Sequence, residues 1–196
     1  AALLGIARGY LMGRNEYEAI ANLNKLLEEY PNASQIPAAH FLLAQAYDRQ
    51  ERYVEAAEEY RNFILLRPGT IDGYVLFWRA EALFSAGDYA AAAVDYQASL
   101  GSATLLDAIQ IRLKLARAYA LAGDQPTALA LYDDIYNRSE SDYIRSLVNL
   151  RKGQAYTELG QIDDAQAAYL DSVNKYPRPY DTYSALTALV DAGVEV

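Results

Sequence analysis

The chain has 196 residues, 53% of them hydrophobic, and a formal net charge of −9. That acidic balance argues against general nucleic-acid binding, which relies on Lys and Arg to neutralise phosphate. Cysteine is absent, which excludes disulfides, thiolate metal sites and cysteine nucleophiles, and no apolar run approaches the roughly 18 residues a membrane-crossing helix needs.

The opening "AALLGIA" has no basic stretch before it and no cleavage pattern after it, so it reads as helix and the chain as a piece of a longer bacterial protein. A loose phrase then recurs five times, as in "MGRNEYEAIANLNKLL" and "SAGDYAAAAVDYQASL". Small residues anchor the copies at Ala7, Ala44, Ala80, Ala116 and Gly153, giving a period of 36 or 37. A second small residue follows twelve positions later, at Ala19, Ala56, Ala92, Ala128 and Ala165. Tyr10, Tyr47, Leu83, Tyr119 and Tyr156 lie three after the first anchor, and Leu23, Tyr60, Tyr96, Tyr132 and Tyr169 four after the second. Such spacings keep side chains on one helical face. Gly87, Gly123 and Gly160 suit the left-handed position just past a helix end. Each copy is therefore predicted to be two antiparallel helices joined by a tight turn, with the small anchors at their crossing.

The first helices are predicted at Ala1–Gly13, Ile36–Gln50, Gly73–Ala86, Ala108–Ala122 and Tyr143–Leu159. The repeats span about 1–33, 34–69, 70–105, 106–142 and 143–177. Residues 178–196 hold an eleventh helix, a cap or the start of a sixth repeat, with Tyr183, Leu186, Leu189 and Val190 on its apolar face. One helix pair cannot bury its apolar face alone, so neighbours stack.

These residues resemble a tetratricopeptide repeat array. The small residue, the Tyr three on, the Ala twelve on, the later aromatic and the terminal prolines Pro31, Pro68 and Pro177 carry the likeness over about residues 1–177. The resemblance implies an all-α, right-handed superhelical solenoid of five repeats plus a C-terminal helix. The period exceeds the family's usual 34, and the Leu100–Leu106 and Arg138–Tyr143 connections lack the proline. A weaker likeness, in the stretch after Pro177, is to bacterial envelope proteins whose repeats precede a lytic transglycosylase domain.

Catalytic chemistry is sparse. His40 is the only histidine and stands at a helix start, read as a polar residue at a helix end. The carboxylate pairs Glu28–Glu29, Glu58–Glu59, Asp133–Asp134 and Asp163–Asp164 read as a solvated second-helix face rather than an acid–base pair. No catalytic residue, metal site or cofactor is expected.

In arrays of the resembled family the first helices line the concave groove. The resemblance then places Leu4, Phe41, Phe77, Leu113 and Leu150 in an apolar row three before each anchor, with packing between repeats as the alternative. Arg8, Gln45, Glu81, Arg117 and Gln154 form a polar row one after it. Tyr74 and Phe84 flank the apolar row, Tyr74 read as exposed, and Arg49 lies at the groove edge. The five first helices carry nine basic residues (Arg8, Arg49, Arg79, Arg112, Lys114, Arg117, Arg145, Arg151, Lys152) and three acidic ones (Asp48, Glu81, Glu158), a net of +6 against −15 for the rest.

The expected function is a non-catalytic scaffold holding a protein or peptide, apolar with some negative charge, in the groove. The alternative is the arm of a cell-wall transglycosylase whose lytic domain lies beyond residue 196. Nucleic acid is not an expected partner, and the compartment, cell envelope or cytoplasm, stays open. Leu3, Leu4 and Ile6 are expected to leave an apolar first helix uncovered, so that copies self-associate through their ends.

Overall fold

The computed structural model describes residues 2–69, 71–101, 108–175 and 179–191. Among them are eleven α-helices and no strand: α1 (Ala2–Met12), α2 (Glu16–Glu29), α3 (Ile36–Arg49), α4 (Tyr53–Leu66), α5 (Asp72–Ser85), α6 (Tyr89–Leu100), α7 (Ala108–Leu121), α8 (Gln125–Arg138), α9 (Asp142–Glu158), α10 (Ile162–Lys175) and α11 (Pro179–Asp191). The first-helix ends fall within one residue of those read from the sequence. Pro177 and most of the Leu100–Leu106 connection lie outside the described residues.

One turn design recurs in all five hairpins. The residue seven after the anchor is left-handed, with φ of 86°, 89° and 70° at Gly87, Gly123 and Gly160. In the first two hairpins that place is held by Arg14 (φ 56°) and Glu51 (φ 59°), a departure from glycine that spacing alone does not reveal. The next residue always donates its N–H to the carbonyl three after the anchor, at 2.9 Å: Asn15 to Tyr10, Arg52 to Tyr47, Asp88 to Leu83, Asp124 to Tyr119 and Gln161 to Tyr156. This bond satisfies a carbonyl the helix end would leave open. Asn15, Asp88 and Asp124 then cap the second helix, each side chain accepting an N–H three residues on.

The chain forms two compact units, Ala1–Leu106 and Asp107–Val196. The first holds the hairpins α1–α2, α3–α4 and α5–α6; the second holds α7–α8, α9–α10 and α11. All ten small anchors are buried. The aromatic or Leu four after the second anchor is buried too, from 0% exposure at Leu23 to 4% at Tyr60.

A polar seam joins the two helices of several hairpins. His40 Nδ1 lies 2.5 Å from Glu59 Oε2, so His40 is a helix-to-helix contact, and Glu59 leaves the solvated face assigned to it. Arg79 grips Asp95 through two bonds of 2.5 and 2.7 Å, with Asp95 only 2% exposed. Arg112 lies 3.8 Å from Asp134, and Lys152 of α9 reaches Asp133 of α8 at 2.7 Å. Four of the nine first-helix basic residues, Arg49, Arg79, Arg112 and Lys152, thus lie within 4 Å of an acid on a second helix.

At the chain's start, Leu4 is covered, 8% exposed among Leu23, Leu26, Ala39 and Leu43, because α2 and α3 close over it. Leu3 is half-buried, and only Ile6 of the three keeps a large exposure, 48%. In α11 the packed face is Ala185 and Leu189, against Leu150, Ala165 and Tyr169. Leu189 keeps the place read from the sequence, while Tyr183 and Val190 turn to solvent. Among the described residues no helix is long and apolar enough to cross a membrane.

Candidate functional site

The apolar row divides. Leu4, Leu113 and Leu150 are 8%, 8% and 2% exposed, each covered by the first helix of the following element. Leu4 meets Ala39 and Leu43 of α3, Leu113 meets Ile144 and Val148 of α9, and Leu150 meets Ala185 and Leu189 of α11. Stacking consumes these three side chains, so they offer a ligand almost no surface. Phe41 is half-buried, its ring centroid 5.3 Å from Phe63, 6.0 Å from Tyr60 and 5.5 Å from Trp78. Phe77 is half-buried against Tyr96 at 6.0 Å, and Phe84 meets Tyr89 edge-on at 5.1 Å. Tyr74, expected to be exposed, is instead half-buried with its ring 6.4 Å from Trp78.

The polar row stays at the surface while the anchors beside it are buried. Arg8, Arg117 and Gln154 are exposed; Gln45 and Glu81 are half-buried. Glu81 accepts a short hydrogen bond from the Tyr96 hydroxyl. Asp48, near Glu81 in the first unit, has its carboxyl pushed up chiefly by burial and then by the Glu81 charge.

Two depressions open at repeat-equivalent places, where a hairpin turn meets the end of the next first helix. In the first unit, Leu11, Met12, Arg14, Glu16 and Arg49 line a space of about 500 Å³. Arg49 reaches into it: Nη1 donates to the Leu11 carbonyl at 2.9 Å and lies 3.8 Å from Glu16. In the second unit a space of about 550 Å³ is lined by Arg117, Gln125, Tyr132, Arg151, Gln154 and Glu158, among others. Here Glu158 stands where Arg49 stands in the first, and Gln125 where Glu16 does. Gln125 Nε2 donates to the Ala120 carbonyl at 2.9 Å, while its Oε1 is buried with no hydrogen-bond partner. Arg151 donates to Gln154 at 2.8 Å. Burial pushes the Tyr132 phenol up to about 12 against the opposing pull of the Arg151 and Arg117 charges.

The second-unit depression thus brings together Arg117 and Gln154 from the polar row. Arg151, Tyr132, Gln125 and Glu158 complete it, and Trp78 adds a 37% exposed indole in the first unit. Sequence patterning reads Tyr132 as a packing aromatic and counts Arg151 and Glu158 only in the charge balance, and it marks none of these five as a binding residue. A visible signal exists for two of them: Trp78 and Arg151 stand two before their anchors, beside the apolar row.

Three models of the tetratricopeptide repeat match the chain, over residues 4–68, over 73–94 with 109–134, and over 148–178. The chain belongs to the tetratricopeptide repeat family, whose fold is a protein–protein interaction scaffold. All three models describe this repeat, and none carries the weaker likeness to transglycosylase proteins. No curated protein matches the chain. Among solved structures, MamA is 19% identical with a TM-score of 0.67, over 89% of this chain and 90% of that one. YrrB, described as a TPR protein with an unusual peptide-binding site, is 16% identical with a TM-score of 0.72, over 95% and 89%. A tetratricopeptide repeat protein from Parabacteroides merdae is 16% identical with a TM-score of 0.72, over 98% and 73%. These likenesses are of fold.

Proposed function

We propose that the chain is a non-catalytic interaction module whose two units each hold a segment of a partner protein on their own first-helix face. In the second unit an acidic group of the partner lies against Arg117 and Arg151. The observation that carries this reading is the depression of about 550 Å³, which Arg117 and Arg151 line together with the buried Tyr132. In the first unit, Trp78, Tyr74, Phe77 and Phe84 present the edges of a partly covered aromatic set. Leu4, Leu113 and Leu150 take no part. Burying one apolar anchor contributes about 1.5–3 kcal/mol, so two or three anchors reach micromolar affinity after ordering costs. The arginines mainly set orientation and association rate, and their effect fades with salt.

The non-catalytic reading is supported by His40, the only histidine of the chain. It is 15% exposed and tied to Glu59 between α3 and α4, and it lines neither depression. Trp78 is the only tryptophan, so its emission reports ligand arrival on the first unit. Titrating the chain with acidic, aromatic-rich peptides should shift that emission saturably and more weakly at high salt. Unchanged emission together with no calorimetric binding would refute the reading.

A further inference from the structure

On the α9–α10 hairpin a depression of about 220 Å³ is lined by Asn149, Lys152, Tyr156, Asp164, Ala168 and Asp171, among others. It does not share a residue with the first-helix depression of the same unit. Asn149 is 5% exposed, and its Nδ2 is buried without a hydrogen-bond partner. Leaving a buried amide unpaired is costly, so a group left this way needs an explanation.

The other hairpins supply one. Asn149 stands four before its anchor, where the second and fourth hairpins have His40 and Arg112; Lys152 stands one before, where the third has Arg79. Fifteen after the anchor the second and third hairpins carry Glu59 and Asp95, which accept from His40 and Arg79. In the fifth hairpin that place is Ala168. The donor remains, and the acceptor is reduced to a methyl group. Lys152 turns away to Asp133, and Asp171 is held by Lys175 at 2.8 Å.

We propose that this depression binds the side-chain carboxamide of an asparagine or glutamine from a partner protein. The carbonyl oxygen accepts from Asn149 Nδ2 in the place of the missing carboxylate. The NH2 group donates to the Asp164 carboxylate on the rim. A carboxylate ligand fits less well, because Asp164 and Asp171 oppose a third negative charge. The space suits one side-chain end and no larger element. The site stands apart from the first-helix face, and its test does not depend on ligand binding there.

The test is NMR on the full ¹⁵N-labelled chain, following the Asn149 side-chain NH2 signal. The probes are the N-acetyl, N-methylamide derivatives of glutamine, glutamate and norvaline, which share their main-chain amides. The expected result is a saturable shift with the glutamine probe, several-fold weaker or absent with the others. Ala168→Asp, which restores the carboxylate of the third hairpin, should abolish it. If that variant does not fold, Asn149→Ala, read at the Ala167 backbone signal, distinguishes the same outcomes. No shift, equal shifts with all three probes, a preference for glutamate, or a shift that survives in the folded variant overturns the proposal.

Discussion

The ring of Tyr169 lies so close over Gly153 that a Cβ at position 153 would overlap it. Tyr169 is 3% exposed, packed with Leu150, Ala165, Ala185 and Leu189, and its hydroxyl sits 3.3 Å from that of Thr157. The ring therefore has nowhere to retreat. Gly153→Ala should destabilise the chain by about 1–3 kcal/mol through overpacking, although alanine favours helix by about 1 kcal/mol. Urea unfolding measures the balance. A stabilised variant would show that the anchors are not close-approach points.

The left-handed turn residues give a prediction of opposite sign. Arg14 and Glu51 adopt φ of 56° and 59° without being glycine. A left-handed L-residue costs about 1–2 kcal/mol, partly offset by glycine's greater freedom in the unfolded chain. Arg14→Gly and Glu51→Gly should each stabilise by up to about 1 kcal/mol, and Gly123→Ala, at φ 89°, should destabilise. Thermal melts of the three variants check the ordering.

Alkaline pH should weaken the fold. Burial raises the Tyr132 phenol from the ordinary 10 to about 12 and raises Tyr60 in the same direction. The folded state thus holds these protons more tightly than the unfolded state. Their contribution is intact below pH 10 and is lost as pH rises toward 12. For Tyr132 alone the loss is about 2–3 kcal/mol. Tyr132→Phe should flatten that branch of a stability–pH curve, with Tyr60 and Tyr169, whose phenols burial also raises, carrying what remains.

The Arg79–Asp95 pair should be costly to break and cheap to replace. Asp95→Ala leaves Arg79 facing a buried site and should cost about 3 kcal/mol. Replacing both by leucine should fall within about 1 kcal/mol of the parent. Denaturant midpoints for the two variants, at unchanged slope, separate these outcomes.

Helices and turns were legible because backbone approach and the left-handed position restrict residue type. Ala92 at a crossing admits few alternatives, and Gly87, Gly123 and Gly160 mark three of the five turns, although Arg14 and Glu51 hold the same place in the other two. The surface was less legible. Leu4 and Phe41 share a register within one unit, yet Leu4 is buried and Phe41 only half-buried, and spacing does not encode that difference. Part of the first-helix positive charge is paired for a related reason: Arg79 and Lys152 meet acids that a one-dimensional count assigns to another helix. Gln125 and Asn149 carry no sequence signal, because an unpaired amide is visible only once its neighbours are placed.

The central claim, that the first-helix face of the second unit binds an acidic partner segment, is tested most directly by affinity selection from a random peptide library. The selected peptides are then measured by calorimetry against Arg117→Glu, Arg151→Glu and, as a second-helix control, Arg138→Glu. The expected result is peptides rich in acidic and apolar residues, bound at least about tenfold more weakly by the first two variants and unchanged by the third. Peptides whose affinity ignores Arg117 and Arg151, or falls only with Arg138→Glu, would contradict it.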